Sequence, residues 1–403
     1  MVEKEVSSYF ENYLKQEPLF IKKKVLQSNY NPENIIHRSN EIKKLASILA
    51  PSLRFEKPSN IFLYGKTGTG KTLISKHVAN YLHKIANKNN VPLKIFYLNC
   101  KLKRIADTEY RLIAEMTRQF DQIVPATGLP TDEVYRLFLK ALDKEKIMLI
   151  IILDEIDQLL NKAGDEILYN LTRISSELSN SEVSIIGISN DLMFTNYLDP
   201  RVRSSLSEEE ILFPPYNAIQ LKSILKERAK EAFREGAIAE GVLEKCAAYA
   251  AREHGDARRA LELLRVAGEI TERKNERKVM ISSLDEAEEK IERDRIYDIV
   301  STQPKQQQIT LYSIFKLCSV DQKKPVVTGD VYALYKDFCF KLKIRPLTQR
   351  RISDIIAELD MLGIINAKVI SHGRYGRTRQ ICIGISPSTA PKISKLLGEV
   401  LDL

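Results

Sequence analysis

An eight-residue segment limits the fold of this chain more than any other feature. Gly65-Lys66-Thr67-Gly68-Thr69-Gly70-Lys71-Thr72 has the form G-x-x-x-x-G-K-[ST] and lies between an apolar stretch at 61–64 and a helix-like stretch at 73–82. In this setting glycines let the backbone wrap tightly, so that N–H groups and a helix N-terminus converge on phosphate oxygens. Lys71 would place a positive charge at the β- and γ-phosphates, and the Thr72 hydroxyl can ligate Mg²⁺. The segment predicts a phosphate-binding loop, with a plain glycine-rich turn as the alternative.

The phosphate-binding loop belongs to a longer pattern of apolar strands separated by helix-length amphipathic stretches. The predicted strands are residues 60–64, 93–98, 147–153, 183–188 and 210–213. Short, continuous apolar strands that alternate with helices indicate a parallel sheet buried on both faces, which is the α/β class. Pro214 and Pro215 end the pattern because proline cannot donate a ladder hydrogen bond.

Polar residues follow two of these strands. Asp154 and Glu155 come directly after the strand at 147–153, and Asn190 follows the strand at 183–188. Open α/β sheets bind ligands at the carboxyl ends of their strands. Asp154 could therefore hold Mg²⁺, Glu155 could orient the attacking water, and Asn190 could hydrogen-bond that water or the γ-phosphate. The alternatives are an acidic first turn of a helix for the two carboxylates and a turn residue for Asn190.

The remaining sequence predicts two further domains. Residues 218–295 have a helical character with almost no strand signal, and residues 301–308 are polar and contain Pro304, which predicts a linker or an exposed junction. We therefore expect a nucleotide-binding α/β base at 1–214, a helical lid at 215–299 and a third domain at 300–403.

Charge and composition narrow the class of protein. The chain has 403 residues and a net charge of +9, and residues 300–403 contain 16 Lys and Arg against 8 Asp and Glu, a net charge of +8. A region with this excess is a candidate nucleic-acid surface, although a solvated basic domain fits the charge alone equally well. The longest apolar run, residues 147–153, is far shorter than the roughly 20 residues of a membrane-spanning helix. Acidic residues stand near the start of the chain, where a signal peptide would be basic, so we expect an intracellular, cytoplasmic protein. Association with the nucleoid would follow from DNA binding.

The five cysteines, Cys100, Cys246, Cys318, Cys339 and Cys382, are widely spaced and contain no C-x-x-C pair. This spacing implies neither a disulfide framework nor a zinc site. Buried small hydrophobic residues are the simplest interpretation.

The basic third domain contains a predicted helix followed by a predicted hairpin. Thr348 can cap the helix, Gln349, Arg350 and Arg351 begin it, and its apolar face would consist of Ile352, Ile355, Ile356, Leu359 and Leu362. Two short strands then flank a basic tip that contains Arg374, Tyr375, Arg377 and Arg379. A helix start rich in Gln and Arg can read base edges in a major groove, and the whole has the layout of a winged helix. A helical domain with a solvated hairpin is the alternative.

The phosphate-binding loop, the Asp154-Glu155 pair and Asn190 resemble the phosphate-handling motifs and the sensor asparagine of AAA+ ATPases. Gly255-Asp256-Ala257-Arg258 resembles the second sensor of that superfamily, which implies that Arg258 reaches from the lid to the γ-phosphate. With the segment at 198–206, the Phe-Pro-Pro-Tyr junction at 213–216 and the basic winged helix, nearly the whole chain resembles the archaeal origin-recognition initiators. These are relatives of the eukaryotic origin recognition complex and its helicase-loading factor.

This resemblance implies further roles. Tyr216 and Arg228 match nucleotide-contacting positions of the family, and the region that includes Thr127 and Gly128 matches an inserted helical element that contacts DNA beside the winged helix. From the residues alone, that region is two helices joined by a Pro/Gly loop. The arginine-finger position aligns with Ser205, and Arg201 and Arg203 lie nearby.

The resemblance also implies a function. It implies an initiator that binds ATP or ADP with Mg²⁺, hydrolyses ATP slowly as a switch, binds duplex DNA at replication origins, and helps to recruit or load the replicative helicase. Paralogous initiators would be further partners.

Two other classes share the same domain order. A nucleotide-regulated winged-helix transcription factor would bind promoters without a helicase partner. A ring-forming AAA+ DNA motor would need rapid turnover and an arginine finger from a neighbouring subunit. Turnover rate, oligomer mass on DNA and the genomic sites bound would separate these classes from an initiator.

Overall fold

The computed structural model describes residues 10, 17–101, 108–125, 128–193, 198–206, 208–320, 326–371, 377–385 and 389–403. The chain forms two compact units, residues 1–284 and residues 285–403. The predicted domain boundaries at 214/215 and 299/300 stay predictions.

A parallel five-stranded sheet forms the centre of the first unit. Its strands, in the spatial order β2-β3-β4-β1-β5, are β1 (Asn60–Tyr64), β2 (Leu93–Asn99), β3 (Met148–Asp154), β4 (Glu182–Ser189) and β5 (Glu208–Leu212). Every predicted strand is present, with ends shifted by no more than two residues. The parallel α/β sheet predicted from the sequence is therefore confirmed.

Helices cover both faces of this sheet. They are α1 (Ser39–Leu49), α2 (Lys71–Lys88), α3 (Glu109–Arg118), α4 (Thr131–Leu142), α5 (Ile156–Ala163), α6 (Glu166–Glu177) and α7 (Pro200–Leu206). Alternate residues of β3 point to opposite sides, so Ile150 packs in the core formed with α1 and α2 while Ile151 packs in the core formed with α3 to α6. This double burial is why the strands are apolar along their whole length.

The sheet topology brings the predicted site to one edge. Asp154, the last residue of β3, lies beside Asn99 of β2 and Ile188 of β4, and Tyr64 of β1 lies beside Ser189 of β4. The carboxyl ends of β1, β3 and β4 therefore meet where the phosphate-binding loop leaves β1.

The lid consists of three helices, α8 (Ala218–Ala232), α9 (Val242–Arg252) and α10 (Ala257–Arg273). Asn217 begins α8 with a reciprocal capping box that involves Gln220. Asp256 begins α10 and accepts hydrogen bonds from the backbone N–H groups of Arg258 and Arg259. These caps satisfy donors that would otherwise be unpaired, and the predicted helical character of the region is confirmed.

Residues 17–36 form a segment that we call the N-terminal strap. Its first part packs on the lid: the Phe20 and Phe233 ring centroids lie 4.6 Å apart, and the Ile21 N–H donates to the Ala232 carbonyl at 2.8 Å. Its last part leads into α1, which packs against the base. Nothing in the local sequence pattern predicts this path.

The second unit has the order of elements of a winged helix. After α11 (Ile281–Thr302) it contains α12 (Lys305–Val320), β6 (Val326–Val327), α13 (Thr328–Lys341), α14 (Gln349–Met361), β7 (Ile365–Ser371), β8 (Arg377–Ile383) and α15 (Ala390–Leu401). The three strands form an antiparallel sheet in the order β6-β8-β7. The predicted helix followed by a hairpin is confirmed.

The apolar face of α14 is buried over four of its five predicted positions. Ile352, Ile355, Ile356 and Leu359 are buried in the core of this unit. Leu362 lies just beyond the end of the helix and is 38% exposed. The prediction for Leu362 is therefore wrong, because the helix ends before the periodicity places it on the buried face.

The predicted linker or exposed junction at 301–308 is confirmed only in part: Ser301, Thr302, Pro304 and Lys305 are exposed, but the other four residues are not. Only Gln303 and Pro304 separate α11 from α12, and Gln307 and Gln308 are buried. The Gln308 side chain donates to the Val300 carbonyl, and the Gln306 side chain accepts from the Tyr335 hydroxyl. Gln307 Nε2 donates to Glu358, whereas Gln307 Oε1 is buried and has no partner among the described residues. Most of these amide groups are therefore paired, which allows a polar run to lie partly inside the fold.

Three of the five cysteines, Cys100, Cys246 and Cys339, are buried as predicted, whereas Cys318 is partly exposed and Cys382 is exposed. All five are free thiols. None of the described helices combines the length and the apolar character that a bilayer span requires.

Candidate functional site

The phosphate-binding loop adopts the conformation that its glycines predict. Gly68 and Gly70 have φ angles of 68° and 97°, in the left-handed region that favours glycine. A Cβ atom on Gly68 would overlap the carboxylate of Asp256. The loop then enters α2 at Lys71, so the N-terminus of a long helix faces the space above the loop.

Lys71 lies at the centre of the site and is buried. Its Nζ donates to the Gly65 carbonyl at 2.6 Å, the Lys66 carbonyl at 2.8 Å and Asn190 Oδ1 at 2.9 Å. Burial, and then the positive charge of Arg258, lower the pKa of Lys71 to about 8. A bound anion would offset the cost of keeping a charged lysine buried, so Lys71 is placed to bind a phosphate group. The contact also places the predicted sensor Asn190 within the site.

Asp154 is held by two hydroxyl groups. Thr72 Oγ1 donates to its carboxylate oxygens at 3.0 and 3.3 Å, and the Tyr97 hydroxyl donates to Oδ2 at 2.5 Å. Asp154 is only 4% exposed. Because Mg²⁺ prefers oxygen ligands and retains several waters, the Thr72–Asp154 pair has the chemistry that this ion requires.

Glu155 follows at the strand tip with a φ angle of 56°, which is uncommon for a residue with a side chain. Its Oε2 lies 3.8 Å from Lys101 Nζ, and the side chain is partly exposed. A left-handed residue between a strand and a helix turns the carboxylate out of the sheet. This geometry fits the predicted role of orienting a water molecule.

Tyr216 and Arg228 lie on the lid side of the same site. Tyr216 is buried, and Arg38 of the strap–α1 junction stacks 4.1 Å from its ring centroid. Arg228 is 8% exposed and stacks 4.7 Å above the Tyr30 ring, but its Nη1 has no hydrogen-bond partner. Burial lowers the pKa of Arg228. A buried guanidinium with an unpaired donor fits a group that awaits an acceptor from a ligand.

These residues line one cavity of about 620 Å³. Its walls come from the strap, the phosphate-binding loop, the tips of β3 and β4, and the lid. A larger groove of about 1120 Å³ lies in the second unit among α12, β8 and α15, but it contains none of the phosphate-handling residues. The smaller cavity is therefore the candidate nucleotide site.

The lid contacts the loop directly. The Ala257 N–H donates to the Gly68 carbonyl at 3.2 Å, and the Thr67 hydroxyl donates to Asp256 Oδ2 at 3.4 Å. Arg258 follows on the first turn of α10 and is exposed along the cavity. The structure thus brings the predicted second sensor to the phosphate-binding loop.

The predicted DNA-reading residues of α14 lie on its exposed first turn. Gln349, Arg350 and Arg351 are exposed, and Arg351 Nη1 lies 3.2 Å from Glu358 Oε1. Among the described residues, no hydrogen bond or ion pair is made by the side chain of Arg350. Arg379 of β8 donates to the Ser353 carbonyl at 2.6 Å and so joins the hairpin to α14.

Several DNA-binding predictions lie outside the described residues. These are Arg374, Tyr375 and Thr127, together with the side chain of Arg377. Gly128 is described, lies in the loop between α3 and α4, and has a φ angle of 109°. The two helices joined by a Pro/Gly loop are confirmed, whereas the DNA contact of this element stays a prediction.

Comparison with known proteins gives three family models in the order of the observed elements. Residues 61–215 match the ATPase family associated with various cellular activities (AAA), residues 222–289 the Cdc6 AAA+ ATPase-type lid domain, and residues 298–392 the CDC6 C-terminal winged helix domain. Over 386 residues the chain is 53% identical to the ORC1-type DNA replication protein of Thermococcus onnurineus, covering 95% of this chain and 92% of that protein.

This chain belongs to the ORC1-type DNA replication protein family. It is also 51% identical over 372 residues to ORC1-type DNA replication protein 1 of Archaeoglobus fulgidus, covering 92% of this chain and 90% of that protein. Among solved structures, the Aeropyrum pernix ORC1 protein in complex with DNA superposes with a TM-score of 0.80 at 44% identity, covering 95% of this chain and 98% of that one. The predicted family, the AAA+ fold with a lid and winged helix, and the ATPase class are confirmed.

Sequence reasoning missed two residues of this ORC1-type site. Tyr97 lies between the apolar Phe96 and Leu98 on β2, which predicts an ordinary strand residue. Tyr30 lies in a stretch without hydrophobic periodicity. Their partners, Asp154 and Glu231, are 57 and 201 positions away in the chain. The only signal for Tyr97 is its position two residues before a strand tip of a sheet with a phosphate-binding loop.

Proposed function

We propose that this chain is a replication initiator that binds duplex DNA at origins, uses ATP as a switch, and helps to recruit or load the replicative helicase. Family membership over nearly the full length supports this assignment. The observation that carries it is the presence, in one chain, of a nucleotide cavity with a buried Lys71 and a winged helix with an exposed Arg350.

The first unit supplies the nucleotide chemistry. Lys71 and the N-terminus of α2 hold the phosphates of ATP, Thr72 and Asp154 hold Mg²⁺, and Glu155 and Asn190 orient the attacking water. Held by Thr72 and Asp154, Mg²⁺ would supply positive charge to offset the negative charge that develops on the phosphate groups. The Ser205 position offers no arginine finger, and Arg201 and Arg203 are exposed on α7. We expect slow hydrolysis because this position adds no arginine finger to the charges of Lys71 and Arg258.

The lid makes nucleotide binding a switch. Arg258 stands at the start of α10, and Arg228 and Tyr216 face the same cavity, so the two ends of ATP contact residues of the lid as well as the base. A triphosphate could bias this hinge if its γ-phosphate were held by Arg258 of the lid as well as by Lys71 of the base. ADP would leave that contact unmade.

The second unit supplies the DNA chemistry. Gln349 and Arg350 would offer donors to base edges in a major groove, and Arg374, Tyr375 and Arg377, expected from the sequence at a basic tip, would contact the DNA backbone beside it. The α3–α4 loop with Thr127 and Gly128 adds a second contact to the same duplex. The Aeropyrum pernix relative was solved with DNA, which supports duplex binding here. Paralogous initiators and the helicase are the proposed protein partners.

Chromatin immunoprecipitation with replication-origin mapping in the source organism tests this function. We expect the bound sites to coincide with the sites where replication starts, and single-turnover ATP hydrolysis to be slow and stoichiometric. Binding confined to promoters would favour the transcription factor and overturn the proposal. Rapid multiple turnover by a ring-sized assembly on DNA would favour the motor.

A further inference from the structure

Tyr97 is a residue of the central sheet whose hydroxyl contacts the proposed metal ligand Asp154. Neither the sequence motifs nor the family matches give it a role. It lies on β2, the strand next to β3, two residues before Asn99, which pairs with Asp154. Its hydroxyl donates to Asp154 Oδ2 at 2.5 Å, the same oxygen that accepts from Thr72 Oγ1 at 3.0 Å. One carboxylate oxygen is therefore held from two sides, by β2 and by the first turn of α2.

The carboxylate of Asp154 needs such a partner. The terminal torsion of aspartate is broad and roughly two-fold, so its own rotamer does not fix the direction of its oxygens. Thr72 contacts both oxygens and cannot by itself select one orientation. The Tyr97 hydroxyl is the contact that distinguishes Oδ2 from Oδ1. Oδ1 accepts a hydrogen bond from Thr72 alone, whereas Oδ2 accepts from Thr72 and Tyr97, so Oδ1 remains the freer acceptor.

Tyr97 is itself held in place. Lys76, one turn along α2 from Thr72, places its Nζ 3.8 Å from the centroid of the Tyr97 ring. Such a cation–π contact favours a fixed ring position when the site is partly desolvated. Tyr97 thus has a support on the helix that also carries the phosphate-binding residues.

We infer that Tyr97 is a positioning residue for Mg²⁺, which acts through Asp154 by fixing the orientation of its carboxylate. This inference rests on the proposed nucleotide function. Outer partners that hydrogen-bond a ligating group change metal affinity or activity by about 10- to 100-fold when they are removed. Tyr97 would set the Mg²⁺ concentration at which nucleotide is retained, and have little influence on the metal-free contacts of ATP.

The Tyr97→Phe variant tests this role, because it removes the hydroxyl and keeps the ring beneath Lys76. A fluorescent ATP analogue is bound to the full chain while Mg²⁺ is titrated, and binding is repeated in EDTA. We expect the midpoint Mg²⁺ concentration to rise about tenfold or more, and the affinity in EDTA to change by less than about twofold. An unchanged midpoint would overturn the inference.

Tyr135→Phe is the matched control. The Tyr135 hydroxyl also donates to a carboxylate, Glu109 Oε1 at 2.7 Å, but neither residue lines the nucleotide cavity. We expect this variant to lose stability in a thermal melt with an unchanged Mg²⁺ midpoint. An equal shift of the midpoint in both variants would show that loss of a buried hydroxyl acts through stability, and would overturn the inference.

A double-mutant cycle shows whether Tyr97 affects Mg²⁺ binding through Asp154 or independently of it. In the Asp154→Asn background, Tyr97→Phe should cause no further shift of the midpoint. A full additional shift would contradict the positioning role. If the wild-type chain shows no Mg²⁺-dependent retention, the proposed nucleotide function fails; if wild type responds and Tyr97→Phe matches it, only the role of Tyr97 fails.

Discussion

At the scale of single residues, Lys71 is the group on which nucleotide binding depends most. It is a buried cation with donors directed at the loop where phosphate would lie, and burial already disfavours its charged form. A phosphate group would restore that charge, so the contact is stronger than an exposed ion pair.

We therefore expect Lys71→Ala to lower ATP affinity at least tenfold, which corresponds to about 1.4 kcal/mol or more. Lys88→Ala is the control, because Lys88 is exposed at the far end of the same helix. Isothermal titration calorimetry measures both. If Lys71→Ala bound ATP with the affinity of the wild type, Lys71 would not be a phosphate-binding residue.

Replacing Arg228 should weaken ATP binding without lowering the stability of the ligand-free protein. Its buried Nη1 has no hydrogen-bond partner, and an unsatisfied buried donor costs roughly 1–3 kcal/mol. Arg228→Met should therefore weaken ATP binding while the ligand-free protein melts at an equal or higher temperature. A melt shows the second effect directly. A large loss of stability without nucleotide would mean that Arg228 is a structural residue and not a ligand contact.

At the scale of elements, the N-terminal strap joins the lid to the base across the cavity. Phe20 fits against Phe233 and Gly268, where a Cβ atom would lie 2.4 Å from the Phe20 ring. Tyr30 contacts Arg228 and donates to Glu231 at 3.0 Å. Between these anchors, Lys22 and residues 27–29 line the nucleotide site.

Phe20→Ala should destabilise the first unit by about 3 kcal/mol, as expected for truncation of a buried aromatic residue, and should speed the release of ADP. Its neighbour Ile21 is 62% exposed, so Ile21→Ala should change neither quantity appreciably. Stopped-flow release of a fluorescent ADP analogue gives the rate. Release at the wild-type rate from Phe20→Ala would show that the strap does not retain nucleotide.

Elements with a regular local pattern were predictable from the sequence. Strand β3 was predictable because seven consecutive apolar residues end at a charged tip, and α14 because its aliphatic residues recur at helical spacing. The burial of Gln307 and Gln308 was not predicted, because composition treats glutamines as exposed whereas Gln307 donates to Glu358, 51 positions away, and Gln308 donates to Val300 of the preceding helix. Tyr97 and Tyr30 were missed for the same reason, since their function depends on tertiary neighbours. The phosphate-binding residues were found because their chemistry lies within one local motif.

At the scale of the whole molecule, the nucleotide site lies within residues 1–284 and the predicted DNA-reading helix within residues 285–403. Ligand binding stabilises the elements that form its site. Hydrogen exchange followed by peptide mass spectrometry should show slower exchange with saturating ATP and Mg²⁺ in the strap, the phosphate-binding loop and the start of α10. We expect peptides of α14 to be unchanged. Equal slowing in α14 would contradict the assignment of the cavity as the nucleotide site.

Also at this scale, we propose that this chain reads duplex DNA with the first turn of α14. Arg350 is exposed and unpaired among the described residues, whereas Lys395, also exposed in the second unit, lies on α15 beside Glu399. The most direct test is fluorescence anisotropy of the full chain on an origin duplex at fixed salt, with Arg350→Ala compared with Lys395→Ala. We predict that Arg350→Ala weakens binding by about 1–3 kcal/mol and relaxes its sequence preference, while Lys395→Ala stays near wild type. If Arg350→Ala bound the duplex with the affinity and the sequence preference of the wild type, the first turn of α14 would not be the DNA-reading element.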